Sequence, residues 1–299
     1  MLRPRPFLPI GGERALVQLA SGEYVCVDLH SLDSLAYLLG WDLESDVIRV
    51  FRTFLTPQSV VLDIGANFGL YTAITASTVR TAGRLIAFEG NPEVFPSLER
   101  TLIANGLFGN PNVTAANVLV SDRCGRGNLH YGANAFHLGT MSDVPLDGGE
   151  RRSTEVRMTT IDAFLPPDLA VDLVKIDVEG HEPLVIRGME RTIARSSNIR
   201  MIIEFADDML AHTVPAAEFV RYIHSLGFRI CRILPDFKIS LVELGEEIAG
   251  FNNCLLTRTP HEDIDAVERR RRRLLVRLKR WLSRHTRRRG HYRRMWSRL

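Results

Sequence analysis

A chain of 299 residues, 45% hydrophobic and 24% charged, is long enough to bury a full core and ordinary enough in composition to be globular. No apolar run approaches the ~20 residues that span a bilayer. The Pro-broken start Met1–Ile10 does not read as a secretory signal. Four scattered cysteines, Cys26, Cys124, Cys231 and Cys254, argue against a disulfide framework and a zinc site, and for a reducing cytoplasm. The net charge of +3 conceals an asymmetry: residues 1–268 carry all 35 acids with 23 bases, a net −12, whereas 269–299 carry 15 bases and no acid.

Residues 1–56 read as an N-terminal extension packed on the main domain. They combine short apolar stretches, Ala15–Leu19 and Tyr24–Leu29, with a helix over Glu44–Leu55 whose Val47, Ile48, Phe51 and Leu55 share a face. Residues 57–260 then alternate strand and helix. Val60–Ile64 is a first strand, followed by a helix to about Val79, and Arg84–Phe88 is a second. Asn91-Pro92 offers a cap and first position for a helix ending at Asn105-Gly106. Val113–Val120, Asp172–Asp177 and Met201–Phe205 read as the next strands, and Phe228–Leu234 with Asn253–Leu256 as a closing antiparallel pair. The alternation predicts an α/β, doubly wound, mostly parallel sheet covered on both faces. Between about Gly125 and Glu155 the rhythm breaks, as expected of a lid or a surface excursion.

Asp63-Ile-Gly-Ala-Asn-Phe-Gly69 closes the first strand. Gly65 permits a tight turn, and Gly69 permits close approach of a ligand or a packed helix. The spacing is GxxxG rather than the GxGxxG that cradles a pyrophosphate. An acid at Asp63 suits a cationic ligand. Glu89, 26 residues later at the end of the second strand, can accept hydrogen bonds from both hydroxyls of a ribose. Together they favour a nucleoside site, with a nicotinamide dinucleotide left open because it shares the ribose-binding acid.

Val61–Thr72, Ala87–Pro92 and Leu173–Glu182 resemble the FkbM-type methyltransferase family, over residues 58–206. The resemblance implies a class I methyltransferase (Rossmann-like) fold, S-adenosyl-L-methionine as cofactor, and O-methylation of a hydroxyl on a small molecule or glycan. It places Asp63, Gly65 and Glu89 on the cofactor, with Asn67 and Gly69 in the same turn and Asn117 near the adenine. The family usually has a proline where this chain has Gly90, a departure expected to be tolerated.

Lys175, Asp177 and Glu179 fall on one face if the fourth strand runs through them. Charges ending a buried strand are costly unless paired or lining a cleft. They read either as a working site or as an ion-pair network fixing the turn at Gly180. A hydroxyl acceptor needs a base, for which His181, Asp177, Glu179 and His137 are candidates. His181 reads equally as a capping or solvated residue. Asp177 and Glu204 offer two carboxylates without a third ligand, and no metal is predicted.

Residues 261–299 form a basic tail with Leu274, Leu278, Trp281 and Leu282 at helical spacing. Such a segment fits a solvated extension or contact with an anionic membrane surface through 269–299, ahead of nucleic acid. The expected protein is therefore a cytoplasmic methyltransferase, peripheral at a membrane surface if the tail binds one. The alternatives are a nucleic-acid-binding protein with an inactive methyltransferase-like body and an NAD-dependent oxidoreductase.

Overall fold

A computed structural model of the chain describes residues 4–40, 44–79, 82–132, 135–140, 150–243, 245–246 and 248–258. Met1–Arg258 forms one unit and Thr259–Leu299 a second. The basic tail, with its expected amphipathic helix, lies outside the described residues. Among the described residues no helix is long and apolar enough to cross a membrane.

The chain opens with a three-stranded antiparallel meander: β1 (Phe7–Gly11), β2 (Arg14–Gln18) and β3 (Tyr24–Asp28). Ala15 and Val17 alternate inward in β2, as a half-buried strand requires. Helices α1 (Asp33–Leu38) and α2 (Ser45–Phe54) follow, the second capped by Glu44 in the left-handed region, φ 48°. Next come β4 (Val60–Ile64), α3 (Leu70–Val79), β5 (Arg84–Phe88), α4 (Phe95–Ala104) and β6 (Val113–Ala116). A second sheet holds β7 (Leu119–Val120), β8 (Gly125–Gly132), β9 (Ala135–Thr140) and β10 (Arg151–Thr159). The chain continues through α5 (Ile161–Phe164), β11 (Leu173–Ile176), α6 (Glu182–Arg187), α7 (Glu190–Arg195), β12 (Arg200–Ala206), α8 (Asp207–Leu210) and α9 (Ala216–Ser225). It ends in β13 (Arg229–Leu234), β14 (Lys238–Val242) and β15 (Phe251–Thr257).

The central sheet has the order β14-β13-β15-β12-β11-β4-β5-β6. Strands β6, β5, β4, β11 and β12 run parallel, and β15 inserts antiparallel between β12 and β13. This is the doubly wound, mostly parallel arrangement expected from the sequence. Its strands are short and apolar because both faces are covered; β11 is buried throughout. The order reverses between β4 and β11, which opens a crevice at their carboxyl ends. Thr101 on α4 ties the meander to that crevice: its hydroxyl accepts from the Cys26 amide at 2.8 Å and donates to the Phe68 carbonyl at 2.7 Å.

Several expected elements differ. Val113–Val120 is not one strand, because the chain turns at Asn117-Val118 and β7 leaves to pair with β10. The excursion over 125–155 supplies β8, β9 and the start of β10. The inward residues of β8 and β10, Leu129, Tyr131, Val156 and Met158, are too diluted by Gly and Arg to show as strands. Helix α4 begins at Phe95, four residues after Asn91, whose side chain instead accepts from the Glu93 amide at 3.0 Å. Strand β14 had no counterpart in the sequence reading.

The second sheet meets the core where Gly188 follows α6, and a Cβ there would stand 2.0 Å from the Ser121 carbonyl oxygen. Neither backbone can move cheaply in a close-packed interior. Gly188→Ala is expected to destabilise the fold by about 3 kcal/mol. Scanning calorimetry should then show a melting temperature lower by roughly 6–12 °C.

Candidate functional site

The cleft starts where β4 ends. Gly65 adopts φ +77°, and a Cβ on it would lie 1.8 Å from the Asp177 carbonyl oxygen, so only glycine lets the two strand ends approach. The Gly65 and Ala66 amides donate to the Phe88 carbonyl at 3.0 and 2.9 Å, which draws the turn over β5. Asn67, also left-handed at φ 47°, donates its amide to Glu89 Oε2 at 2.8 Å, and Asn91 donates its own to Oε1 at 2.7 Å. Burial pushes the Glu89 carboxyl up to about 7, against the pull of those two amides. Among the described residues, two neighbouring polar atoms, Asn67 Oδ1 and Asn91 Nδ2, are buried without a partner.

Across the switch point, β11 stops at Ile176 and does not continue the alternation through Glu179. The chain instead turns through Glu179 and Gly180, both at positive φ (52° and 89°), because a Cβ at Gly180 would lie 2.6 Å from the Met209 carbonyl oxygen. That turn brings Asp177 and Glu179 to Glu204, with one carboxylate oxygen of each within 4.8 Å of the others. The set could hold a metal ion, and Glu179 is the third carboxylate that the sequence reading had not paired with Asp177 and Glu204. Burial raises two of these half-buried acids, and their like-charged neighbours raise them further. Glu179 is pushed to about 8 by burial and then by Asp177 and Glu182, and Glu204 is held far above the usual carboxylate range by burial and Asp177. Lys175 is buried beneath them, its Nζ 2.9 Å from Asp177 Oδ2.

The cleft is a cavity of about 640 Å³. Gly65, Asn67, Glu89, Asp177, Glu179, His181 and Glu204 line it, together with Asn91, Asp207 and Asp208. Four expected site residues do not line it. Asp63, 2% exposed, lies under the floor, accepting from the Thr72 hydroxyl at 2.5 Å, and burial raises it to about 6. Gly69 packs a helix rather than a ligand: its Cβ would meet Leu98 Cδ1 at 2.8 Å. Asn117, no longer in a strand, donates Nδ2 to the Glu89 carbonyl at 2.8 Å and so holds the binding acid from behind. Lys175 reaches the cleft only through Asp177. His181 stands at the start of α6 with Nε2 3.0 Å from Ser121 Oγ, and burial lowers it to about 4. The His137 side chain lies outside the described residues. Asn91 was missed because Asn-Pro reads as a helix cap; its position two residues after Glu89 was the available signal. Gly90 also has a reason of its own, since a Cβ there would lie 3.1 Å from Leu119 Cβ.

The model of the methyltransferase FkbM domain matches residues 63–230. The hexuronic acid methyltransferase AglP of Haloferax volcanii is 29% identical over 161 residues, which are 50% of this chain and 58% of AglP. The crystal structure of a methyltransferase FkbM from Methylobacillus flagellatus covers 68% of this chain, with 17% identity and a TM-score of 0.43. This chain in turn spans 44% of that protein, so it matches less than two thirds of either relative. TYW2 of M. jannaschii, solved in complex with AdoMet, is 13% identical with a TM-score of 0.40, over 83% of this chain and 86% of that one.

The buried acids give stability a definite pH dependence. Glu89 has a folded pKa of about 7 against an ordinary value of 4.5, so the native state binds the extra proton between those values. Its contribution is fully present below pH 4.5 and is lost as pH rises through 7. Asp63 runs the same way through about 6, whereas His181, lowered to about 4, contributes above 6.5 and loses it as pH falls through 4. Glu89→Gln removes the first effect alone. Urea unfolding of variant and wild type at pH 5.0 and 7.5 should show the variant gaining relative stability at the higher pH, on the order of 1–3 kcal/mol.

Proposed function

Because the chain belongs to the FkbM methyltransferase domain family, we propose that it transfers a methyl group to a hydroxyl of a small molecule or glycan. The methyl donor implied by the family is S-adenosyl-L-methionine, which when bound supplies an electrophilic methyl group on a sulfonium. The observation that carries the reading is the Glu89 wall. Each Glu89 oxygen takes one backbone amide and keeps a lone pair for a ribose hydroxyl. Beside it the partnerless Asn67 Oδ1 and Asn91 Nδ2 offer one acceptor and one donor to the same nucleoside. Gly65, Asn67, Glu89 and Asn91 would hold it, and the acidic lining suits a cation. The pyrophosphate of a nicotinamide dinucleotide is a poorer match, since the first turn has the spacing GxxxG and not the GxGxxG whose backbone amides cradle a pyrophosphate.

Methyl transfer to an activated acceptor asks the protein chiefly for alignment, a contribution of about 7–11 kcal/mol. Removal of the hydroxyl proton adds ~10²–10⁴-fold. Glu179 suits that task, because a group raised to about 8 exchanges its proton near neutral pH. His181 suits it less: lowered to about 4 and engaged with Ser121, its ring is a weak base. Lys175 is a positioning residue that fixes Asp177. The archaeal relative named for hexuronic acid supports a carbohydrate acceptor. The 15 basic residues of 269–299, with Leu274, Leu278, Trp281 and Leu282 at helical spacing, support contact with an anionic membrane surface.

Calorimetric titration tests the cofactor assignment. The full chain is expected to bind S-adenosylmethionine in the micromolar range and NAD not at all, and Glu89→Ala should weaken the first at least tenfold. A folded protein that binds NAD alone, or neither, would overturn the proposal. With an acceptor in hand, kcat/KM should rise with pH through about 8, the proton acceptor being active when deprotonated. Glu179→Gln should lower kcat at least 100-fold and flatten that rise; an unchanged profile would remove Glu179 as the base.

A further inference from the structure

Helix α1 is built inside out. Its Ser34 and Tyr37 are buried, while Leu32, at its N-cap, and Leu35 stand 58% and 44% exposed. Ala36 and Leu39 continue the outer stripe at helical spacing and are half-buried. A helix on the surface of a monomer carries the opposite pattern. Strand β1 lies beside it and is exposed over its whole length, Phe7 at 54% and Leu8 at 62%. Backbone bonds tie the two at both ends. The Arg5 amide donates to the Leu38 carbonyl at 3.0 Å, and the Leu29 amide to the Glu13 carbonyl at 2.8 Å. The inner side of α1 packs on the first turn of the cleft, the Tyr37 ring edge-on to Phe68 at 6.0 Å.

We propose that this face is the contact between two copies of the chain in solution, a two-fold interface made by α1 and β1 of each. With the exposed Ile10 and Leu29 it offers on the order of 600 Å² of apolar surface, the upper end for the largest patch of a monomer. Used by both copies at once, as two-fold symmetry requires, it buries about 1,200 Å², the lower limit for a specific, stable interface. The contact runs through side chains and not through a continued sheet. The Pro6 carbonyl accepts from the Gln18 amide at 2.9 Å and Leu8 pairs with Leu16, so Phe7 and Pro9 turn their backbone to the free edge. Pro9 has no N–H to offer a further strand. A lipid surface fits less well, because the charges around the face are acidic or already paired. Asp33 accepts from the Ser31 hydroxyl at 2.8 Å, His30 Nε2 lies 2.5 Å from Glu13 Oε2, and Arg14 lies 3.3 Å from Asp28. An anionic leaflet recruits Lys and Arg, whereas an uncharged centre with a polar rim is the anatomy of a protein contact.

Sedimentation velocity of the full chain over a concentration series tests this. The wild type is expected to be a dimer that dissociates on dilution, with a Kd in the micromolar range. Leu32→Gln with Leu35→Gln on α1, and separately Phe7→Thr with Leu8→Thr on β1, should each raise that Kd at least about tenfold. Circular dichroism melts, at a dilution where the wild type is itself monomeric, should agree between wild type and variants, which separates a lost contact from a lost fold. If one pair of substitutions fails to fold, the other decides. A wild type that stays monomeric at about 100 µM would overturn the proposal. So would a dimer whose Kd neither pair changes, since its interface then lies elsewhere. Sedimentation of a monomeric wild type with phosphatidylserine vesicles, lost in the same variants, would assign the face to a lipid surface and overturn it equally.

Discussion

A buried ammonium in the middle of a parallel sheet is the constraint around which this molecule is arranged. Lys175 is 1% exposed, on a central strand flanked by β4 and β12. Left alone there it would cost several kcal/mol. Burial by itself would drive off its proton, but Asp177, Glu44 and Glu204 outweigh that, and its pKa stands above the ordinary value. Asp63 is its register partner on β4, and the Tyr71 ring lies 5.3 Å from its Nζ. Tyr71 donates its hydroxyl to Glu44, at the start of α2, at 2.8 Å. The charge balance of one lysine therefore links the N-terminal segment, the first turn and the fourth-strand acids. Removing Lys175 would not simply delete an ion pair; it would leave a set of buried carboxylates with no compensating charge.

This arrangement explains which parts of the fold were legible in the sequence. Strands β4, β5, β11 and β12 are apolar runs because both faces of the sheet are covered, and such runs stand out. Asp63 and Lys175 were legible as exceptions to those runs, but not the direction they face. Asp63 read as a ligand-facing residue and Lys175 as either a site residue or part of an ion-pair network, and both point into the charge network beneath the cleft. Strands β8 and β10 were illegible for the opposite reason. They are partly exposed and rich in Arg and Gly, so their alternation carries little contrast.

At the site, residues that act through the backbone could be read and residues that act through space could not. Gly65 and Glu89 are defined by where a strand ends, and both line the cavity. Asn117 looked like part of a strand because Val113, Val118 and Val120 surround it; only the pairing of β7 with β10 shows the turn. The meeting of Asp177, Glu179 and Glu204 depends on the left-handed turn at Glu179, an unusual conformation for a residue other than glycine. No spacing rule predicts that turn. It is imposed by Gly180 packing against Met209 and by Glu182, whose Oε1 accepts from the Val178 and Gly180 amides at 3.2 and 3.4 Å.

The topology also accounts for the division of labour within the cleft. At a switch point, the strands on either side carry their connections to opposite faces, so two unrelated loop sets meet over one crevice. The set after β4 and β5 is tightened by backbone amides onto a single carboxylate, a geometry that fixes a ligand by direction. The set after β11 and β12 gathers carboxylates that share protons, a geometry that fixes a ligand by charge. The first is rigid because each oxygen of Glu89 is already half satisfied. The second holds protons that its burial and its like-charged neighbours raise. One buried lysine lies below both, paired with Asp177 and opposing the mutual repulsion of the acids above it.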